Sequence, residues 1–227
     1  MQIQKAKLIE RKNLTENIFE LKFSSEKTLN FTPGQFINIK IEDAKNFPCF
    51  RAYSISSMID EKTFELCIKI IPNGRGSNWL KNIELNSEIN FLGPYGKLIF
   101  KNNNSSHIFI ATSVGVAPFK SIIEHELNNN SKNNIELIMG VRFEKDIFYM
   151  NEFNSLADSN SNFKFTLTIS RPEKLWKGAK GRVNKHIKIN KNTQYYVCGS
   201  KAVVNDVVRW IKEKGIPEEQ INFENFG

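Results

Sequence analysis

Around residue 101 the sequence changes rhythm, and that change constrains the fold more than any single motif. Before it, short runs rich in β-branched and aromatic residues follow one another at 3–9, 18–23, 35–41, 52–56, 63–70 and 88–92. Pro33-Gly34, Pro72-Asn73-Gly74 and Gly93-Pro94-Tyr95-Gly96 supply turn chemistry between several of them. Short, closely spaced strands predict a small six-stranded antiparallel barrel. A helical turn or two is expected from Ser77, which can cap the orphan amides ahead of Trp79-Leu80-Lys81. After the polar, aperiodic segment Lys101 to Ser106, strands at 107–112, 135–141, 164–170 and 195–198 alternate with helices at 118–127, 149–158 and 201–214. A last short strand is expected at 221–223. That alternation predicts βαβ units and a parallel, Rossmann-like sheet. The expected fold class is therefore β plus α/β, with a barrel domain at residues 1–100 and an α/β domain at 101–227.

Bulk properties narrow the function classes. The chain has 227 residues, enough for two cores of ordinary size. Its 40% hydrophobic and 25% charged residues are those of a globular protein. The longest apolar stretches are far too short to span a bilayer, and the N-terminus lacks the layout of a secretory signal. A cytoplasmic protein with no integral membrane association is expected. Cys49, Cys67 and Cys198 are widely spaced and form no CxxC pair, which argues against a disulfide framework, a thiolate zinc site or an iron–sulfur centre. His107, His125 and His186 show no ligand spacing, so no metal is expected. The net charge of +8 comes without any nucleic-acid signature, and it suits phosphate-bearing cofactors or an acidic protein partner.

Two loops carry the chemistry. The first combines Arg51-Ala52-Tyr53-Ser54 with Gly74-Arg75-Gly76-Ser77 downstream. Strand alternation puts Arg51 and Tyr53 on one face and Ser54 on the other. Arg presents a fork of donors suited to phosphate, and a glycine-rich loop opening a helix binds anions through free backbone amides. The second is Thr112-Ser113-Val114-Gly115-Val116-Ala117-Pro118, a strand, a small-residue turn and a helix opened by proline, which again makes an anion site.

With Gly-x-x-Ser-x-x-Leu (Gly74, Ser77, Leu80), Gly93-Pro94-x-Gly96, Cys198-Gly199 and the terminal Glu224-x-Phe226, these motifs fall in one order along nearly the whole chain. The ordered set resembles the ferredoxin–NADP reductase superfamily, which includes flavodoxin, oxygenase and flavin reductases. The resemblance implies an N-terminal FAD-binding barrel and a C-terminal NAD(P)-binding domain. It implies flavin contacts from Arg51, Ala52, Tyr53, Ser54, Ile68, Lys69, Gly74, Gly76 and Ser77, with Arg51 and Ser77 at the pyrophosphate, Tyr53 packed on the flavin and Ser54 near its reactive nitrogen. It implies nucleotide contacts from Thr112, Gly115, Pro118, Ser170, Arg171 and Gly199. Ser54, Cys198, Glu224 and Phe226 are the implied catalytic set: Cys198 beside the hydride-donating carbon, Glu224 hydrogen bonding nearby and Phe226 covering the flavin face. The superfamily usually has a glycine where Thr112 or Ser113 stands here. Ser170-Arg171 resembles a clamp on a 2′-phosphate, while the segment from Trp176 to Val183 resembles that of NADH-using relatives. Lys174, Lys177 and Lys180 are further candidate cations, and the charge argument favours NADPH.

The implied reaction takes hydride from NAD(P)H onto FAD and passes electrons singly to an acidic carrier such as ferredoxin or flavodoxin. An NAD(P)H:flavin reductase or an oxygenase reductase component is the alternative; a non-catalytic flavin-binding subunit is a more remote one.

Overall fold

The computed structural model describes residues 2–43, 47–103 and 106–226. The first sheet contains β1 (Gln4–Asn13), β2 (Ile18–Ser25), β3 (Phe36–Ile41), β4 (Cys49–Ser54), β5 (Thr63–Lys69) and β6 (Glu88–Tyr95), with α1 (Arg75–Asn82) between the last two. Its order is β4-β3-β6-β1-β2-β5, antiparallel throughout, and a bridge from Ile55 to Leu66 joins its two edges. That bridge makes the sheet a barrel with a seam between β4 and β5. Alternation is visible where one face meets the core: Ile37, Ile39 and Ile41 of β3 are buried, together with Phe23, Phe64, Leu66, Ile68 and Phe91.

The second sheet contains β7 (Ser106–Thr112), β8 (Ile135–Val141), β9 (Phe163–Ile169), β10 (Ala179–Lys180), β11 (Thr193–Ser200) and β12 (Ile221–Phe226). Its order is β10-β9-β8-β7-β11-β12 and every pairing is parallel. Three helices cover it: α2 (Ala117–Asn128), α3 (Met150–Ser159) and α4 (Lys201–Glu213). Phe109 and Ala111 of β7 pack with Phe119, Ile122 and Phe153 of α2 and α3, while Ile108 and Ile110 pack with Val204, Val207 and Ile211 of α4. One strand thus feeds two cores, as a parallel sheet covered on both faces requires.

Each expected strand and helix is present, with ends shifted by a few residues. Strand β10 was not expected; two residues leave no periodicity to read. The terminal strand β12 runs three residues beyond its expected end because β11 pairs with it as far as Ser200↔Phe226. The expected linker lies partly outside the described residues, at 104 and 105.

Candidate functional site

The seam places the first set of residues. Arg51 and Ala52 are exposed on the edge strand β4, Tyr53 is half-buried and Ser54 is buried. The opening of α1 lies against them. A Cβ on Gly76 would stand 2.6 Å from the Tyr53 hydroxyl and 3.0 Å from Arg51 Cγ, so only glycine lets this helix start approach both side chains. No side chain caps α1 at Gly74. The Ser77 hydroxyl accepts from the Ile71 N–H at 3.1 Å and donates to the Gly74 carbonyl at 3.3 Å, and Asn78 Nδ2 donates to Gly74 O at 2.7 Å. The Ser77 side chain is therefore engaged in pinning the loop, and the first-turn backbone amides of α1 are the groups left to face an anion. Ile68 is 2% exposed with its side chain in the barrel core, so only its backbone on the β5 edge can reach a ligand.

Three observations test whether these residues suit a flavin. Ser54 Oγ is buried without a hydrogen-bond partner, an arrangement costing about 1–3 kcal/mol unless a ligand atom supplies the missing partner. The Arg51 guanidinium donates to its neighbour's carbonyl, Phe50 O, at 2.9 Å and stays exposed. Burial pushes the Tyr53 phenol up to about 12, so an uncharged ring stands beside the anion site. An open cation, helix-start amides, a neutral aromatic ring and an orphan hydroxyl together fit a ring system carrying a diphosphate.

The second set gathers where the parallel sheet reverses its order, between the C-terminal ends of β7 and β11, the usual ligand position in such sheets. A Cβ on Gly115 would lie 2.4 Å from Cys198 O and 2.8 Å from Gly199 Cα, and one on Gly199 would lie 2.3 Å from Thr112 Oγ1. The turn and the end of β11 are interlocked backbone to backbone. Ser113 has φ +52°, the left-handed region where a side chain is strained. Ser113→Gly is expected to raise stability by about 1 kcal/mol and Tm by about 2–4 °C, and calorimetry with no Tm gain would refute the strain. Pro118 is buried within the first turn of α2, where its missing N–H costs nothing.

A cleft of about 670 Å³ opens beside this turn, lined by Lys69 from the barrel and by Thr112, Ser113, Arg142, Ser170, Arg182 and Trp210 among others. Lys69 thus joins the two halves of the site. Arg171 follows β9, its N–H bonded to Arg142 O at 3.0 Å, but it does not line the cleft, and neither do Lys174, Lys177 and Lys180. Arg142 and Arg182 take that place. Arg142 stands just past β8, as Arg171 stands just past β9, whereas Arg182 follows the two-residue β10. Another cavity of about 550 Å³, lined by 2–5, 25–28 and 93–95, contains none of the expected site residues.

Beside the turn, β12 pairs with β11 so that Glu224 stands opposite Cys198. Cys198 is 1% exposed; burial raises its thiol well above the usual range, and the Glu224 carboxylate adds to that. Burial pushes Glu224 up to about 7. Phe226 ends the strand half-buried, packed against the α2–α3 core. The sign of the stability effect follows from linkage. An acid whose folded value exceeds its unfolded one, near 4.3, stabilises the fold fully below the unfolded value and loses that contribution as pH rises through about 7. Glu224→Gln is therefore expected to flatten the fall in Tm between these two values; an unchanged Tm–pH curve would remove Glu224 as its source.

Among the described residues no three His, Cys, Asp or Glu side chains could hold a metal ion, and no helix is long and apolar enough to cross a membrane.

Comparison with known proteins agrees with this layout. Residues 5–100 match the model of the oxidoreductase FAD-binding domain, and residues 109–209 match that of the oxidoreductase NAD-binding domain. The chain is 27% identical over 238 residues to ferredoxin–NADP reductase B of Sorangium cellulosum, covering 97% of this chain and 96% of that one. It is 28% identical over 201 residues to a component polypeptide of the Na(+)-translocating NADH-quinone reductase of Neisseria meningitidis, covering 79% of this chain and spanning half the length of that relative. A crystal structure of a ferredoxin NADP+ reductase from Neisseria gonorrhoeae with bound FAD and NADP superposes with a TM-score of 0.87 at 22% identity, over 99% of each chain. A barrel matching the FAD-binding model, followed by a parallel-sheet lobe matching the NAD-binding model, shows that the chain belongs to the ferredoxin–NADP reductase superfamily, as an NAD(P)H-dependent FAD oxidoreductase.

Proposed function

We propose that the protein passes the electrons it takes from NAD(P)H, one at a time, to a small acidic carrier protein of the ferredoxin or flavodoxin type. The observation that carries this reading is the net charge of +8, which draws an acidic partner and repels a basic one. The balance closes with two carriers reduced for each NAD(P)H oxidised and one proton released. In this reading residues 1–100 form the flavin domain and 101–227 the nucleotide domain. Bound FAD supplies the conversion between two-electron and one-electron transfer. Arg51 and the start of α1 hold its diphosphate, Tyr53 packs against the ring system, and Ser54 supplies a hydrogen bond at the ring edge. Thr112 to Pro118 and Gly199 cradle the nucleotide. Cys198 and Glu224, one a neutral thiol and the other titrating near neutrality, line the place of the nicotinamide, and Phe226 shields it. Ser170 and Arg142, with Arg182 shared at 4.0 Å with Asp206, offer a polar end for a 2′-phosphate, and Arg142 is the cation that favours NADPH over NADH. We place the protein in the cytoplasm, where reduced nicotinamide nucleotides are made.

The test is anaerobic reduction by NADH and NADPH side by side, followed by titration with ferredoxin, flavodoxin and free riboflavin at low and high salt. Carrier reduction is expected to weaken steeply once the screening length falls below about 10 Å. Salt-insensitive turnover of riboflavin, with no reduction of either carrier, would instead identify a free-flavin reductase.

A further inference from the structure

Between the lobes lies a buried lysine that hydride transfer does not use. Lys120 is 8% exposed on α2, one turn past the nucleotide loop. Its Nζ lies 3.1 Å from Glu124 Oε1 on the same helix, 3.6 Å from Glu65 Oε2 on barrel strand β5, and 3.4 Å from the carbonyl of Ser56. It also stands 5.4 Å above the Tyr149 ring. Tyr149 is 3% exposed, holds a left-handed φ of +57°, and donates its hydroxyl to Glu20 on β2. On the barrel side Ser56 N–H donates to Glu65 O at 2.8 Å next to the Ile55–Leu66 bridge, so the lysine grips both edges of the seam. Ser56 is two residues from the orphan hydroxyl of Ser54, and Lys120 is two residues from Pro118.

Burying a charge costs several kcal/mol, and even well-paired buried ions often stabilise no better than apolar side chains of equal size. A lysine in this place therefore calls for a use other than stability, and the best-attested use of buried ions is fixing register. We propose that Lys120 is a positioning residue, locking the nucleotide-binding helix of one lobe to the flavin-bearing seam of the other so that the two rings meet in reactive alignment. This rests on the placement of flavin and nucleotide given above. Misplacement by about 1 Å costs a transfer step on the order of a hundredfold, so a clamp between the two anion sites acts on rate without touching either cofactor.

Lys120→Met leaves Glu65, Glu124 and the nearby Glu20 facing a lost cation and risks misfolding. The decisive variant therefore also removes the two carboxylates that pair with the cation, K120M/E65Q/E124Q, with Lys120→Arg as the conservative control. In the triple variant flavin content and nucleotide affinity are expected to stay within about twofold of the parent. The limiting rate of flavin reduction at saturating NAD(P)H should fall about tenfold or more. The long-wavelength absorbance of the stacked nicotinamide–flavin pair should weaken, and amide exchange at Ile55 and Ser56, read without nucleotide, should quicken. Lys120→Arg should restore part of the rate. A parent-like limiting rate in the triple variant overturns the proposal, whatever its Tm. If the parent itself holds no flavin, the flavin reading fails separately, and exchange across the seam decides: faster exchange supports the clamp, and unchanged exchange overturns it.

Discussion

Gly115→Ala should nearly abolish reduction by NAD(P)H while leaving the flavin in place. The added Cβ would stand 2.4 Å from Cys198 O, 2.7 Å from Cys198 C and 2.8 Å from Gly199 Cα. All three are backbone atoms of β11, whose Tyr195 to Cys198 are paired on both sides by β7 and β12. No side chain can swing away, so the turn has to move instead. Overpacking of this kind typically costs about 1–3 kcal/mol of stability, and each kcal/mol lowers Tm by about 2–4 °C in a chain of this size. The larger effect falls on rate. The turn carries Thr112 and Ser113 into the cleft and precedes α2, and a shift near 1 Å in a group that orients a reactant costs about a hundredfold. The residues proposed to hold flavin lie in the other sheet and its helix α1, so retained flavin with a rate down about a hundredfold separates this effect from general unfolding. Stopped-flow traces matching the parent would show that the close approach at residue 115 is not needed for nucleotide placement.

What the sequence disclosed, and what it withheld, follows from the range of the interactions involved. The two lobes were legible because period-two runs and strand–helix alternation are local patterns, visible in windows of ten residues or so. The Arg51–Tyr53 face was legible for the same reason, and Gly76 touches both side chains. Arg142 and Arg182 went unread. Arg142 follows a legible strand end as Arg171 does, whereas Arg182 follows the two-residue β10, which leaves no periodic trace; which of the three line the cleft depends on how their strands are ordered in space. The resemblance places Ser77 at the flavin diphosphate; its hydroxyl bonds Ile71 and Gly74 within its own loop, a detail set by turn geometry, which leaves the backbone amide for that contact. The grip of Lys120 on Ser56 and Glu65 joins residues more than fifty positions apart, and no spacing rule reaches that far. The positive φ of Ser113 had a trace in the sequence: a glycine is usual at this position or the one before it, and the backbone bears strain at Ser113.

Arg51→Ala should release the flavin without unfolding the barrel, and the contrast with Arg75 explains why. Arg51 lies against the glycine-rich loop and Arg75 within it, between Gly74 and Gly76. Arg75 is already committed: its Nε and Nη2 donate to the two oxygens of Asp43 at 2.8 and 2.7 Å, and a further bond reaches Phe47 O. A bidentate pair of this kind holds the guanidinium in place and neutralises it. Arg51 is exposed, and its hydrogen bond goes to a neighbouring carbonyl, Phe50 O. Losing that bond from an exposed strand edge costs the apoprotein little, so Tm without flavin is expected to stay within about 1–2 °C of the parent. A charge-assisted hydrogen bond to phosphate contributes about 1.5–3 kcal/mol, so flavin affinity should fall about ten- to a hundredfold. Arg51→Lys restores charge but not the two-pronged fork, and only part of the affinity should return. Arg75→Ala has the opposite signature. It breaks the bidentate pair with Asp43 and the bond to Phe47 O, lowering Tm of the apoprotein first and flavin affinity only through the loosened start of α1. Fluorescence titration of the stripped protein with FAD distinguishes the two. If Arg51→Ala binds FAD like the parent while Arg75→Ala does not, the cation of the flavin site is Arg75, and the open guanidinium beside Gly76 belongs to the surface.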